Sequence, residues 1–482
     1  MHFGTVDLVD ERRNRRLPLL VDALVEHPGG TLPEKLPQPA DLEAFYRLCD
    51  VEEVTHEAVL ASHRQLVLQK LQSTRKYLLI VHDATELDYS SHHSLARLGQ
   101  IGNGHGHGYV VQNALVVDPQ QGAVLGLVNQ ILHVRAKVPQ NEKVAAKRKR
   151  KSRESRLWLR GTEGLPSHPH VVDVCDRGAD GFEFIEHEVR SHRTFVVRAH
   201  HDRNILIGHD PQTTQTGSLL AYARTLPVLC TDETVVRINS SSGKNRRGDG
   251  ISQPQDSRPP ATYRTARLSI SAAPVRLMSP HVRRGEHGRD PLSVWIVRIW
   301  ESDPPAGCKP LEWFLITNHP IEEATAARRV KTWYEWRWVI EEYHKAQKTG
   351  CAVEKLQMRD ESRLDPAIAV LSIVALTLLQ LRDASRRPDA KRRRADELVD
   401  PEAIQVLSLW LHHEVREDWT VHEYFIALAR LGGYRPRKNA PPGWLVLWRG
   451  QTKLRLMIEG ARALRQYLES KPKNRSTKCA KS

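Results

Sequence analysis

The 482-residue sequence lacks the features that mark secreted, disulfide-bonded and membrane-spanning proteins. Its six cysteines are dispersed with no close pair, which excludes CxxC-type zinc or redox motifs and any disulfide framework. Residues 1–16 are polar and charged, so no signal peptide is expected. The most apolar run, 366–379, is too short to span a bilayer, and Asp365 with Pro366 indicates that a buried helix begins there. These absences predict a soluble protein of the reducing cytoplasm without a membrane partner.

Negative charge is scarce relative to positive charge. The chain has 72 Lys and Arg residues against 57 Asp and Glu residues, which gives a net charge of +15 at pH 7. Such an excess favours a polyanionic partner, because each phosphate that a cation neutralises releases condensed counterions. With 40% hydrophobic and 27% charged residues, the composition is otherwise that of a globular protein. Charge alone therefore favours nucleic acid over two alternatives, a merely basic soluble protein and a ribosome-associated factor.

Hydrophobic periodicity divides the chain into helical ends and a strand-rich centre. Residues 1–70 predict short helices, which form either a DNA-recognition domain or only a capping unit. Residues 71–370 carry the order strand, strand, strand, helix, strand, helix, strand, which predicts an α/β catalytic core of the RNase H-like (DDE) class. Within this core, 205–312 predict an all-β insertion; 371–470 predict a helical C-terminal domain, and 471–482 a disordered tail.

Three polar segments stand out between these elements. The run 142–160 is basic and predicts a helix, while 240–264 is rich in Ser, Gly, Pro and Arg and predicts a long loop. The segment 104–108 alternates Gly and His, which raises the alternative of a zinc or nickel site. No Cys or carboxylate lies at ligand spacing beside it, so a flexible loop between strands is the favoured interpretation.

Two aspartates follow apolar strand patterns. Asp83 ends the first predicted strand and Asp176 ends the fourth, and these two strands are neighbours at the centre of the predicted sheet. Adjacent carboxylates repel each other unless a cation lies between them, so the pair predicts a site for Mg²⁺. With a third carboxylate, two such ions catalyse in-line phosphoryl displacement, and Mn²⁺ can substitute. The alternative for either residue alone is an ordinary turn aspartate.

The helix predicted for 333–348 supplies the third carboxylate, Glu341. At about 100° per residue, one face of this helix carries an acid among cations, with a tyrosine at its start. The residues of that face are Tyr334, Arg337, Glu341, Lys345 and Lys348. A carboxylate for metal flanked by cations for phosphate suits a DNA backbone lying across a metal site. The alternative is a solvated charged face with weak pairs such as Glu341–Lys345.

Motifs along the chain resemble those of one protein family. The spacing of the YREK signature of bacterial insertion-sequence-four transposases is matched by Tyr334, Arg337, Glu341 and Lys348. Residues 174–180 and 82–85 are similar to the family's two aspartate motifs, with Ala84 where the family usually has threonine. Segments near both ends, 7–17 and 431–444, resemble the transposon-five group of that family. The resemblance covers essentially the whole chain.

The resemblance implies a DDE transposase, in which Asp83, Asp176 and Glu341 bind two Mg²⁺ ions. It implies cut-and-paste transposition: binding of terminal inverted repeats in double-stranded DNA, cleavage through a hairpin, and joining of the 3′-hydroxyl to target DNA by a homodimer. Residues implied to contact DNA are Tyr334, Arg337, Lys345, Lys348, Arg198 and Trp313. Among these, Trp313 matches a tryptophan that stacks on a flipped base, and the alternative is a core tryptophan. The implied location is the bacterial cytoplasm, at the nucleoid.

Two rival functions remain open from the sequence. A catalytically silent DNA-binding descendant would act as a repressor or inhibitor, although retention of all three acids argues against it. An RNase H-like nuclease would act in repair or on RNA, and it would need neither dimerising helices nor a YREK face.

Overall fold

The computed structural model describes residues 6–27, 29–102, 104–136, 153–208, 215–238, 262–280, 287–305, 308, 310–436 and 441–470. Its helices are α1 (Glu11–Glu26), α2 (Leu32–Lys35), α3 (Pro39–Cys49), α4 (His56–Gln72), α5 (Leu157–Thr162), α6 (Phe182–Arg190), α7 (Leu219–Thr225), α8 (Ala324–Glu335), α9 (Trp338–Lys345), α10 (Glu361–Arg386), α11 (Pro401–His412), α12 (Val421–Leu431) and α13 (Trp444–Ser470). The predicted tail 471–482, much of the basic run 142–160 and most of the loop 240–264 lie outside the described residues.

Twelve strands form one mixed sheet with helices on its flanks. They are β1 (Leu78–Asp88), β2 (Gly99–Ile101), β3 (Gly106–Asp118), β4 (Ala123–His133), β5 (Val171–Cys175), β6 (Thr194–Arg198), β7 (Asn204–Ile207), β8 (Gln215–Ser218), β9 (Cys230–Ile238), β10 (Thr262–Leu277), β11 (Leu292–Glu301) and β12 (Glu312–Thr317). The class predicted from the sequence, α/β with flanking helices, is therefore confirmed.

The strands that carry the two predicted aspartates are neighbours. The order in this part of the sheet is β4-β3-β1-β5-β6, with β1, β3 and β4 antiparallel and β1, β5 and β6 parallel. The prediction that Asp83 ends its strand is wrong, because β1 continues to pair with β3 as far as Asp88 opposite Gly108. Asp83 therefore lies in the middle of β1, and the turn explanation no longer applies to it.

The predicted insertion continues the same sheet. Strand β12 pairs with β6, and β11, β10, β7 and β8 follow in that order, so the insertion shares a sheet with the centre of the chain. The prediction that it is all β is wrong in one element, because helix α7 spans Leu219–Thr225. Leu219 and Ala223, four residues apart, are both fully buried, and this one-turn apolar spacing favours a helix there.

Along the central strands, successive side chains point to opposite faces of the sheet, and this divides the core into two layers. On β1, Leu79 and Val81 pack into a cluster with helices α8, α9 and α10. Leu78 and Ile80 point to the other face. This period of two is the reason that successive residues of one strand reach different helices.

The long apolar helix α10 lies inside the protein. It begins after Asp360, whose carboxylate accepts a hydrogen bond from the Arg363 amide, so the predicted start at Asp365 and Pro366 is about one turn late. By length and composition α10 could cross a membrane, but 78% of its most apolar window is buried in the protein. This burial confirms the prediction of a core helix. The domain boundary predicted at residue 370 falls inside α10.

The helical ends pack on this centre in different ways. In the N-terminal unit, Asp10 caps α1, and Leu17, Leu20, Val21 and Leu24 form its buried stripe at helical spacing. These side chains belong to the same cluster as α10. Helices α11, α12 and α13 instead build a cluster of their own around residues such as Leu407, Leu428 and Leu447.

Candidate active site

Strand register brings Asp83 and Asp176 together. The parallel pairing of β1 with β5 matches His82 to Cys175, and the next residue on each chain is an aspartate. Residues at matched positions share a face of the sheet, so both carboxylates point to the face that α8 and α9 cover. Asp176 also caps the short 3₁₀ turn after β5, where the Gly178 amide donates to its Oδ1 at 2.8 Å.

Arg337 and Glu341 complete this cluster from the helical side. The Arg337 Nη1 donates to Asp83 Oδ2 at 3.0 Å and lies 3.4 Å from Glu341 Oε1. One guanidinium thus bridges a strand carboxylate and a helix carboxylate. We call Asp83, Asp176 and Glu341 the acidic centre. Carboxylate oxygens of Asp83 and Glu341 lie within 4.8 Å of each other, and Asp176 is near enough to Asp83 for its charge to raise the pKa of that carboxyl.

Burial and neighbouring charges act on the carboxylates of the acidic centre. The pKa of Asp83 is raised to about 7, chiefly by burial and then by the charge of Asp176, with a smaller contribution from Glu341, while the charge of Arg337 opposes the rise. Asp83 is 9% exposed, whereas 42% of the Glu341 side chain is accessible to solvent. A buried carboxylate with carboxylate neighbours is stabilised by a bound cation. Carboxylate oxygens of this kind are the ligands that Mg²⁺ and Mn²⁺ prefer, so the donor set fits these metals.

Glu342, the neighbour of Glu341, has a different partner. Its carboxylate forms an ion pair with Arg382 of α10, whose side chain is only 3% exposed and also pairs with Asp383. Glu342 therefore connects α9 to α10, while Glu341 faces the strands. Of these two adjacent glutamates, the one at the YREK spacing is Glu341, and its carboxylate is the one that lies beside Arg337 and Asp83.

The helix predicted for 333–348 is interrupted. Helix α8 ends at Glu335 and α9 begins at Trp338, because the Arg337 amide bonds the Tyr334 carbonyl and the Val339 amide bonds the Trp336 carbonyl, in the tighter i→i+3 pattern. A π-helical turn, Ala346–Gly350, follows α9. The prediction of one regular helical face is therefore wrong, since these changes of pitch rotate its members relative to one another.

Tyr334, near the end of α8, is buried in the protein interior. It is 5% exposed, and its ring meets Trp313 edge to face with 5.7 Å between centroids. Burial raises the pKa of its hydroxyl, while the adjacent guanidinium groups of Arg198 and Arg337 lower it. Arg198 follows the position on β6 that pairs with Cys175, so it is next to Asp176. Trp313 is half-buried and stands on β12 two residues before Leu315, the partner of Arg198.

Lys345 and Lys348 lie beyond the acidic centre. Lys345 is exposed at the end of α9. Lys348 is 31% exposed in the π-helical turn, and its Nζ is 3.7 Å from Glu354. Glu354 also accepts from the Asp88 amide at 3.0 Å, which ties this turn to the far end of β1. The two lysines therefore extend the positive charge from Arg337 toward the end of β1.

Sequence reasoning missed two residues of this region. His344 offers a ring nitrogen that lies, together with carboxylate oxygens of Asp83 and Glu341, in a group whose ligand atoms are within 4.8 Å of one another. Its position three residues after Glu341 on a helix was the available signal. Burial, with the charges of Lys348 and Arg337, lowers the pKa of His344 to about 3. The second is Trp338, which is 65% exposed one turn before Glu341.

Residues 1–54 match the family model described as Transposase DNA-binding. The matched segment comprises α1, α2, α3 and the turn before α4, and it ends well before the acidic centre in the chain. The match supports the interpretation of the N-terminal unit as a DNA-binding element and of DNA as a partner. By its N-terminal segment, this chain is similar to the DNA-binding part of transposases.

Proposed function

We propose that the protein is a DDE transposase of the insertion-sequence-four family, which binds the terminal inverted repeats of a mobile element, cleaves the DNA and joins the freed 3′-hydroxyl to a target. The observation that carries this proposal is the convergence of Asp83, Asp176 and Glu341, from two strands and one helix, on a single face of the sheet. The similarity of residues 1–54 to a transposase DNA-binding family supports the substrate class.

The sheet supports the proposed catalytic fold. An RNase H-like core requires three antiparallel strands followed by two parallel ones, with the first strand central. The order β4-β3-β1-β5-β6 and its strand directions meet this requirement. The added strands beyond β6 continue the sheet without changing that order.

The acidic centre would hold two Mg²⁺ ions through Asp83, Asp176 and Glu341, with Mn²⁺ as a substitute. When bound, such ions activate the attacking oxygen and stabilise the leaving oxygen of an in-line phosphoryl displacement. Arg337 neutralises the carboxylates from the helical side, and its guanidinium can turn its remaining donors to a phosphate. The low exposure of Asp83 excludes bulk water from the strand side of the site.

Cations and aromatic rings around the centre suit a DNA strand. Lys345 and Lys348 lead away from Arg337 along one side, and charges of this kind position phosphates without selecting sequence. Trp338 is exposed one turn before Glu341 and Trp313 is half-buried beside Tyr334, and stacking of a ring on an extruded base is worth about 1–3 kcal/mol. The Tyr334 ring meets the Trp313 ring edge to face, and the Tyr334 hydroxyl lies near Arg198.

The C-terminal helices would pair two subunits into a homodimer. The last part of α13 exposes apolar side chains that a lone chain leaves in water, namely Leu456, Leu464, Tyr467 and Leu468. An exposed apolar strip on a helix is typical of a surface that packs against another protein. The proposed enzyme acts on DNA in the bacterial cytoplasm.

Two adjacent glutamates give a matched test. Glu341→Gln keeps shape but removes a ligand of the acidic centre, so we expect Mg²⁺-dependent cleavage of terminal-repeat DNA to fall to background while binding in gel shifts persists. Glu342→Gln removes one of the two acidic partners of buried Arg382, and Asp383 remains as the other. We therefore expect this variant to lose about 1–3 kcal/mol of stability and to retain cleavage.

The results separate the proposed function from its rivals. Undiminished nicking by Glu341→Gln would overturn the assignment of the acidic centre. Wild-type protein that shifts terminal repeats but never cleaves them in Mg²⁺ or Mn²⁺ would be a DNA-binding repressor. A preference for RNA–DNA hybrids over duplex DNA would indicate an RNase H-like nuclease.

A further inference from the structure

A chain of buried polar side chains leads to the acidic centre from the N-terminal unit. The His56 Nε2 on α4 is 2.9 Å from Gln130 Oε1 on β4, and Gln130 Nε2 donates to Asn113 Oδ1 on β3 at 2.7 Å. Asn113 Nδ2 is 3.1 Å from His344 Nε2 on α9. All four residues are at most 6% exposed. Polar groups at such depth are costly, so each link must be satisfied for the chain to persist.

The orientation of the two amide groups indicates which nitrogen of His344 carries a proton. Gln130 presents its Oε1 to the His56 Nε2 at 2.9 Å and its amide nitrogen to the Asn113 Oδ1 at 2.7 Å. Asn113 accepts through Oδ1 and consequently turns its own amide nitrogen to His344. An amide nitrogen only donates, so the Nε2 of His344 is the acceptor. The proton of the neutral ring is therefore on Nδ1.

Two acids of the acidic centre, Asp83 and Glu341, lie near His344. Asn113 is the cross-strand partner of Asp83, and Glu341 precedes His344 by one helical turn. A ring nitrogen of His344 lies within 4.8 Å of carboxylate oxygens of both acids. His344 makes its one hydrogen bond through Nε2 within the part of the chain that the structure describes, so Nδ1–H is available to a ligand there. The His344 ring is therefore close enough to the acidic centre for an oxygen bound there to accept a hydrogen bond from it.

We infer that His344 is a further substrate-contacting residue, whose Nδ1–H donates to an oxygen of the scissile phosphate, and that Asn113 and Gln130 are positioning residues that hold this tautomer. The inference rests on the proposed function. A metal-ligand role is the rival, because Glu341 and His344 share a helical face as ligand pairs do. The rival requires a free ring lone pair, and the Nε2 lone pair is already used by Asn113. A donor fixed at the phosphate stabilises the charge that develops on its oxygens.

Two substitutions separate the nitrogens of the ring. The amide nitrogen of Asn overlies the Nδ1 of His, so His344→Asn keeps the donor toward the acidic centre. The amide end of Gln overlies Nε2, so His344→Gln keeps the contact with Asn113 and loses that donor. The measurements are single-turnover cleavage of terminal-repeat DNA at saturating Mn²⁺, Mn²⁺ affinity by calorimetry without DNA, and DNA affinity by gel shift.

We expect His344→Gln to cleave about 100-fold more slowly, the usual loss for one such donor, with Mn²⁺ and DNA affinities within threefold of wild type. His344→Asn should recover at least tenfold of that loss. Asn113→Asp removes the amide donor, and its carboxylate when ionised only accepts hydrogen bonds, so this variant should reverse the tautomer and slow cleavage as His344→Gln does.

Other outcomes would overturn the inference. Wild-type rates for His344→Gln would show that the N–H contacts nothing in the reaction. Mn²⁺ affinity weakened more than tenfold in both His344 variants would identify a metal ligand instead. Equal loss in both variants with unchanged metal affinity would indicate a role in packing only. Failure of the wild type itself to cleave, with Mn²⁺ bound normally, would overturn the proposed function and this inference with it.

Discussion

A buried ionic cluster behind the acidic centre gives a quantitative prediction. It lies on the opposite face of β1 and β5, where Arg193 Nη2 is 2.5 Å from Asp173 Oδ2 and its Nε is 3.4 Å from Glu188 Oε2. Asp173 also bonds His82 Nε2 at 2.7 Å. The side chains of both acids are fully buried, and that of Arg193 is 3% exposed. One guanidinium thus faces two carboxyl groups out of reach of water.

The two acids respond to this environment in opposite ways. Burial opposes ionisation of both, but Arg193 and His82 hold the pKa of Asp173 below its usual value. Burial, together with the charge of Asp173, raises the pKa of Glu188 well above its usual value. Asp173 therefore carries the charge that neutralises Arg193, and Glu188 holds its proton to a higher pH than an ordinary glutamate does.

The amide variants of the two acids should then differ strongly. Removing the charged partner of a buried cation costs about 3–5 kcal/mol, and Glu188 can ionise to replace part of it, so Asp173→Asn should lose about 2–3 kcal/mol at pH 7. Glu188→Gln replaces a protonated acid by a neutral amide of the same shape. It should be as stable as the wild type only at or below about pH 4, and more stable than the wild type at pH 5 and above, with a larger difference at pH 7.

The sign of this pH effect follows from proton linkage. The folded state keeps a proton on Glu188 that the unfolded chain releases above its ordinary pKa of about 4.3. The stabilisation from that proton is complete below this pH and is lost as the pH rises toward the folded pKa, by up to about 1.4 kcal/mol per pH unit. Glu188→Gln has no such loss, so its advantage over the wild type should grow with pH.

Urea unfolding followed by circular dichroism at pH 5, 6, 7 and 8 measures these differences. Each variant is compared with the wild type at the same pH, which cancels the contributions of other groups. The reasoning is refuted if Glu188→Gln at pH 7 loses as much stability as Asp173→Asn, or if its difference from the wild type does not change with pH.

Three further predictions concern the site and the C-terminal helices. Arg337→Met removes the cation that bonds Asp83 at 3.0 Å, so the melting temperature should fall without divalent ions and rise more with Mg²⁺ than that of the wild type. A calorimetric scan with equal Mg²⁺ responses would contradict this. A side chain at Gly450 would overlap the carbonyl oxygen of Leu428, so Gly450→Ala should separate α13 from α12 and speed proteolysis after residue 400, whereas unchanged digestion would count against the tight crossing. Trp338→Ala removes a ring that is 65% exposed, so it should leave the melting temperature within about 1 °C but slow DNA cleavage, and a large loss of stability would show a core role instead.

Much of the site was predictable because its signals are local. An apolar run followed by Asp marks β1 and β5, and neighbouring parallel strands necessarily bring residues at the same register together. The spacing between Arg337 and Glu341 is one helical turn, and their ion pair forms as that spacing requires. The apolar run alone predicted that α10 is a buried helix, but it did not predict the first turn of this helix.

The remaining features depend on contacts between distant segments. The tightened turn at Trp336 and Arg337 changes the face of the helix at the point where Tyr334 packs on Trp313 and Arg337 reaches Asp83, and helical periodicity carries no information about either contact. The extension of β1 past Asp83 depends on pairing with β3.

His344 shows the same limit most clearly. Its place beside the acidic centre and the proton on its Nδ1 depend on Asn113 and Gln130, which are more than 200 residues away in the chain. Sequence patterns indicate which residues can bind metal and phosphate, because those capacities belong to single side chains and short spacings. The orientation of each group is set by strand pairing and by the hydrogen bonds that the folded core imposes, and these exist only in the tertiary structure.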